Sequence, residues 1–87
     1  MSNILVVANW KMNPPTMRDA KKLFEATRQS VERAKGVSVV VAPPAIFLRE
    51  LARGYRGRSI AFALQNAHFE KGGAHTGEIS MLQARDS

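Results

Sequence analysis

The run Ile4 to Asn13, ILVVANWKMN, decides how this chain is read. It opens with Ile4, Leu5, Val6, Val7 and Ala8, which are apolar and largely β-branched. A run this short is no free-standing helix, and apolar residues on both faces are the mark of a strand buried on both sides of a parallel sheet. The character then changes within a few residues to Asn9, Trp10 and Lys11. Side chains two apart on a strand share a face, so a strand continuing through Trp10 would put Asn9 and Lys11 on the face of Leu5 and Val7. An amide and an ammonium at the carboxyl end of such a strand sit where parallel α/β proteins keep their ligand sites, and a partly desolvated Lys calls for an anion. The same residues also fit a plainer account, in which Lys11 reaches water from a strand end and Asn9 starts a turn.

Downstream, Asn13, Pro14, Pro15 and Thr16 form a turn, and Thr16 with Asp19 makes a capping-box-like helix start. The spacing predicts a helix over about Met17 to Lys35. Ala20, Leu23, Phe24, Thr27, Val31 and Ala34 recur on one stripe facing a sheet, and Gly36 supplies the C-cap. Val37 to Ala42, VSVVVA, reads as a second strand stopped by Pro43-Pro44. Ala45 to Arg53 reads as a short helix and Ser59 to Gln65, SIAFALQ, as a third strand. A long connection from Asn66 to about Ile79 follows, and Ser80 with Gln83 resembles a capping box opening a third helix. The plan is β-α-β-α-β with a helix beginning after it, and alternating units of this kind make right-handed crossovers and a parallel sheet.

Composition excludes several classes. With 87 residues, 45% hydrophobic and 23% charged, the chain is an ordinary globular sequence and at most one small domain. It has no Cys, so neither disulfides nor thiolate metal sites are available. No apolar run approaches the roughly 18 residues of a membrane span, and the N-terminus lacks a basic segment leading into a signal-type core. No membrane partner is expected, and the default location is cytoplasmic. The net charge of +6 makes an anionic partner worth weighing. Arg49, Arg53, Arg56 and Arg58 are the densest basic patch, but no recognition motif accompanies them, so they read as a solvated helix face and not as a nucleic-acid site. His68 and His75 lie in the long connection. A metal reading would need carboxylate or further His ligands at convergent spacing, so two surface imidazoles and no metal are expected.

Three blocks, ANWKMN at Ala8–Asn13, VVVAPPA at Val39–Ala45 and LQNAHFEKGGAHTGEIS at Leu64–Ser80, resemble the N-terminal part of the triosephosphate isomerase family in order and spacing. The resemblance runs from about Ile4 to the last residue. It implies a partial TIM (β/α)8 barrel, with residues 1–87 as the incomplete N-terminal part of one barrel domain. Such a barrel takes about 250 residues, so the chain would hold about a third of it. By resemblance, Asn9 and Lys11 match the family's substrate-binding pair, and Lys11 is the catalytic candidate. Its ammonium, a compact charge with three donors, suits a phosphate or an enediolate oxygen. Gln65 and Asn66 match a polar pair that supports the Lys and the subunit contact, although satisfying backbone groups at a strand end explains them equally well. Leu64 stands before that pair where a smaller residue is more usual in the family. Ala74 to Glu78, AHTGE, resembles the loop that enters the neighbouring subunit, which implies a homodimer with Thr76 and Glu78 at its interface.

The implied activity is cofactor-free interconversion of dihydroxyacetone phosphate and glyceraldehyde 3-phosphate by proton transfer, in glycolysis and gluconeogenesis. The family's electrophilic His, its carboxylate base and its lid over the phosphate belong to later barrel strands, and no stretch here resembles them. This chain alone is therefore expected to be inactive, since a positioned base contributes about 10² to 10⁴ fold. Gly-rich phosphate motifs and nucleophile elbows are absent too. The competing reading is a non-catalytic interaction or complementation fragment that pairs its open strand edges with other chains. A basic nucleic-acid-binding module ranks below both.

Overall fold

The computed structural model describes residues 4–87. Strand β1 (Ile4–Asn9) leads to helix α1 (Met17–Arg33), strand β2 (Val37–Ala42), helix α2 (Ala45–Gly54), strand β3 (Ile60–Phe62) and helix α3 (Met81–Asp86). The three strands form one parallel sheet in the order β1-β2-β3. Ile4 pairs with Val37 and Asn9 with Ala42, while Val39 pairs with Ile60 and Val41 with Phe62. Among the described residues, no helix is long and apolar enough to cross a membrane.

Side chains alternate along each strand, and partners in register share a face. Val39, Val41 and Ile60 therefore lie together, and they join Ala20, Phe24 and Val31 of α1 and Phe47 and Leu51 of α2 in one core. Phe24 is its hub, with ring centroids 5.3 Å from Phe62 and 5.6 Å from Tyr55, the latter edge-on. Such offset pairs add about 0.5–1.5 kcal/mol beyond area burial. The Tyr55 hydroxyl accepts a hydrogen bond from the Ser59 N–H at 3.2 Å, tying the exit of α2 to the entry of β3.

The opposite face, carrying Leu5, Val7, Ser38, Val40 and Ala61, has no layer over it among the described residues. Here the burial expected for the first strand fails: Leu5 and Val7 are 64% and 63% exposed. The reason is position. β1 has a hydrogen-bonded neighbour on one side only, and both helices cover the other face of the sheet. Its apolar residues are strand-forming all the same, because pairing with β2 needs only backbone groups and β-branched side chains favour the extended conformation.

The elements otherwise follow the expected plan, with shifted ends. Thr16 Oγ1 accepts from the Asp19 N–H at 3.1 Å, which caps α1. α1 stops at Arg33, with Ala34 extended at its C-cap, and the left-handed turn falls to Gly36 at φ 71°. β3 is shorter than expected, although the Ala63 N–H still donates to the Val41 carbonyl at 3.0 Å. At α3 the capping box is complete: Gln83 N–H donates to Ser80 Oγ at 3.1 Å, and Ser80 N–H to Gln83 Oε1 at 2.9 Å.

Candidate functional site

The carboxyl ends of β1, β2 and β3 meet at Asn9, Lys11, Ala42 and Gln65. β1 ends at Asn9, so the strand alternation does not run on to Lys11. Instead Asn9 Oδ1 accepts from the Lys11 N–H at 2.8 Å, which is the turn-starting role open to Asn at a strand end. Lys11 takes φ 58°, in the left-handed region. For a residue with a Cβ this costs about 1–2 kcal/mol, and such conformations persist only where neighbouring contacts over-determine them.

Those contacts are present on both sides of the residue. Gln65 Nε2 donates to the Lys11 carbonyl and to the Ala42 carbonyl, each at 2.8 Å. One amide thus holds the Lys11 N–H, and a second holds its carbonyl against the end of β2. Gln65 does what a strand-end amide does, satisfying backbone carbonyls, and by the same two bonds it fixes the backbone from which the Lys11 side chain projects. The expectation of a partly desolvated Lys11 is corrected: the residue is exposed, because the turn carries it off the sheet, and it makes no ion pair among the described residues. An exposed ammonium on a backbone clamped by two side-chain amides can meet an anion without reorganising its main chain.

Asn66 is exposed beside Gln65. Thr76 and Glu78 are exposed in the following loop. There the Glu78 N–H donates to the His75 carbonyl at 3.0 Å, closing a four-residue turn. Gly77 occupies its third position at φ 85°, which a type II turn requires and glycine adopts without strain. The loop is pinned at its base by the His68 N–H donating to the Ile79 carbonyl at 2.8 Å. Two features carry no local signal. The support that Gln65 gives Lys11, implied by the family resemblance, spans 54 residues and takes the form of a bond to the backbone carbonyl. Glu70 joins His68 and His75 in a tight group, although its spacing from either His marks no familiar ligand motif.

The family model described as triosephosphate isomerase matches residues 4–87. The chain belongs to the triosephosphate isomerase family. It is 44% identical over 81 residues to the triosephosphate isomerase of Clostridium acetobutylicum, an alignment covering 93% of this chain and 32% of that protein. The chain thus spans about a third of the length of that relative. As in an isomerase of this family, the three parallel strands with their helices form a segment of a (β/α)8 barrel.

Proposed function

We propose that residues 1–87 form the N-terminal part of a single (β/α)8-barrel domain whose complete form is a triosephosphate isomerase. It interconverts dihydroxyacetone phosphate and glyceraldehyde 3-phosphate, and so serves glycolysis and gluconeogenesis in the cytoplasm. The observation that carries this reading is the double clamp on Lys11, by Asn9 at its N–H and Gln65 at its carbonyl, within a chain of this family.

Lys11 is the catalytic residue of the segment and binds substrate together with Asn9. Enolisation places negative charge on the substrate's carbonyl oxygen as a proton leaves the neighbouring carbon. An ammonium on a preorganised backbone stabilises that charge and the phosphate more strongly in the transition state than in the ground state. The reaction moves protons only and calls for no cofactor. Gln65, Asn66, Thr76 and Glu78 contribute to a homodimer interface. The uncovered Leu5 and Val7 belong against the inward side chains of the remaining strands, where barrels of this class pack their interior.

A coupled assay of triose phosphate interconversion tests this, run on the purified 87-residue chain and on its mixture with a polypeptide covering the rest of a related barrel. Activity is expected in the mixture alone and is expected to vanish with Lys11→Ala. Turnover unaffected by that substitution would refute the role given to Lys11.

A second reading, a non-catalytic interaction or complementation fragment, draws on the exposed Ile4, Leu5, Val6 and Val7 of the β1 edge. Its mark is a self-associated or partner-bound species by hydrodynamic size, with a mixture that stays inactive although the two pieces are folded together.

A further inference from the structure

We infer that His68, Glu70 and His75 form a binding site for a borderline divalent cation of the zinc class, in the loop between β3 and α3 and apart from Lys11. One ligand atom from each of the three lies within 4.8 Å of the others. His75 Nε2 and Glu70 Oε2 are 3.0 Å apart, and the His68 and His75 rings are stacked at a tilt with centroids 4.2 Å apart. Donors bound to one Zn²⁺ at about 2.0–2.1 Å in a tetrahedron stand roughly 3.4 Å from one another. The His75–Glu70 pair, at 3.0 Å, is about 0.4 Å short of that spacing, and small side-chain rotations of this pair and of His68 would bring the three donors to it.

Three further observations favour a cation over a simple imidazole–carboxylate hydrogen bond. That hydrogen bond occupies Glu70 and His75 but leaves His68 out. His68 Nε2 is buried and has no hydrogen-bond partner among the described residues, a state that buried polar atoms seldom keep. The other His68 nitrogen, Nδ1, lies 3.9 Å from Glu78 Oε1, beyond hydrogen-bond distance but near enough for this carboxylate to take up the supporting place behind a metal-binding imidazole. Finally, Gly73, at φ 125°, leaves open the space beside His75 Nε2, where a Cβ would come within 3.1 Å.

The three side chains line a small cavity of about 120 Å³ together with Lys71 and Glu78. A water takes about 30 Å³, so the space admits an ion with waters completing its shell. Two imidazoles and a carboxylate, with no thiolate in the chain, suit Zn²⁺, Co²⁺ or Ni²⁺ over soft or all-oxygen-binding cations. Lys71 on the cavity wall, and Arg85 on an adjoining one shared with Glu70, oppose the cation, and the carboxylates of Glu70 and Glu78 offset them.

Co²⁺ titration of the purified chain, followed by visible absorption, tests the site, since a low-coordinate Co²⁺ site with nitrogen ligands gives intense d–d bands. One equivalent is expected to bind, and Zn²⁺ is expected to bleach the bands. His68→Ala, His75→Ala and the isosteric Glu70→Gln should each weaken affinity at least about tenfold, Glu78→Gln by about tenfold or less, and Glu50→Gln not at all. Circular dichroism confirms that each variant keeps its fold. Absence of the bands at about millimolar Co²⁺, or affinity unchanged in both His75→Ala and Glu70→Gln, would overturn the site.

Discussion

β1 and β2 are six-residue strands of nearly the same chemistry, ILVVAN and VSVVVA, paired in register over their whole length. Their burial is opposite. On the same face and in register, Val39 of β2 is 6% exposed whereas its partner Val6 of β1 is 44% exposed, and on the uncovered face Leu5 and Val7 of β1 are 64% and 63% exposed. The difference lies in neighbours. β2 has a strand on each side and helices α1 and α2 against one face, while β1 has one strand neighbour and little helix cover. An apolar, β-branched run specifies that a strand forms there. How much hydrophobic free energy it contributes depends on what the rest of the molecule lays over it.

The largest effect that could break this comparison comes from a carboxylate placed on the helix-covered face of β2 and on the uncovered face of β1. Val41→Asp is expected to abolish folding, because an unpaired charge in that core costs several kcal/mol, a large share of the total stability of a small domain. Val7→Asp is expected to leave the circular dichroism spectrum unchanged. The milder pair sharpens the point in urea unfolding: Val41→Ala should cost about 2 kcal/mol and Val7→Ala less than about 0.5 kcal/mol. In a complete barrel, Val7→Ala should rise to about 2 kcal/mol. An equally small cost there would mean that nothing packs on that face.

Next in size is the link that joins the two strands beyond their ladder. Gln65→Leu removes the donor shared by the Lys11 and Ala42 carbonyls and should destabilise the chain by about 1–3 kcal/mol. It should also loosen Lys11, read as faster amide hydrogen exchange at Lys11 than in the parent chain. An unchanged exchange rate would show that Asn9 alone holds the turn.

The smallest effect lies on the wet side of the helix that buries β2. Arg28 bonds Glu25 and Glu32 on the exposed face of α1, and the hydrogen bonds from Arg28 hold the Glu25 carboxyl below its ordinary value. With a lowered folded-state value, the unfolded chain binds more protons than the folded one around the ordinary carboxylate range. The contribution is therefore complete above that range and fades as pH falls through it. Glu25→Gln should lower the thermal midpoint slightly near neutral pH, with the gap closing in acid and in high salt. A gap independent of both would assign the effect to helix propensity.

Local signals are legible in the residues alone. Ser80 and Gln83 announced a capping box and form both of its bonds, and Val37–Ala42 has the bounds its composition and the following prolines required. Both depend on atoms within a few positions of one another. The third strand is shorter than its sequence suggests, because Leu64 and Gln65 look strand-like while the chain turns there to deliver the Gln65 amide to two carbonyls. The site was legible in its residues more than in its geometry. Asn9 and Lys11 stood out at a strand end, but the left-handed Lys11 backbone rests partly on Gln65, far along the chain.

By itself, then, the sequence determined the alternation of strands and helices, the caps, and the family, because propensity, periodicity and motif spacing all act over short range. Tertiary structure alone decided which of two similar strands is buried, how the Lys11 turn is clamped, and that Glu70 meets His68 and His75 in one loop. Each of these needs groups brought together by the path of the chain, and no local preference encodes where that path places them.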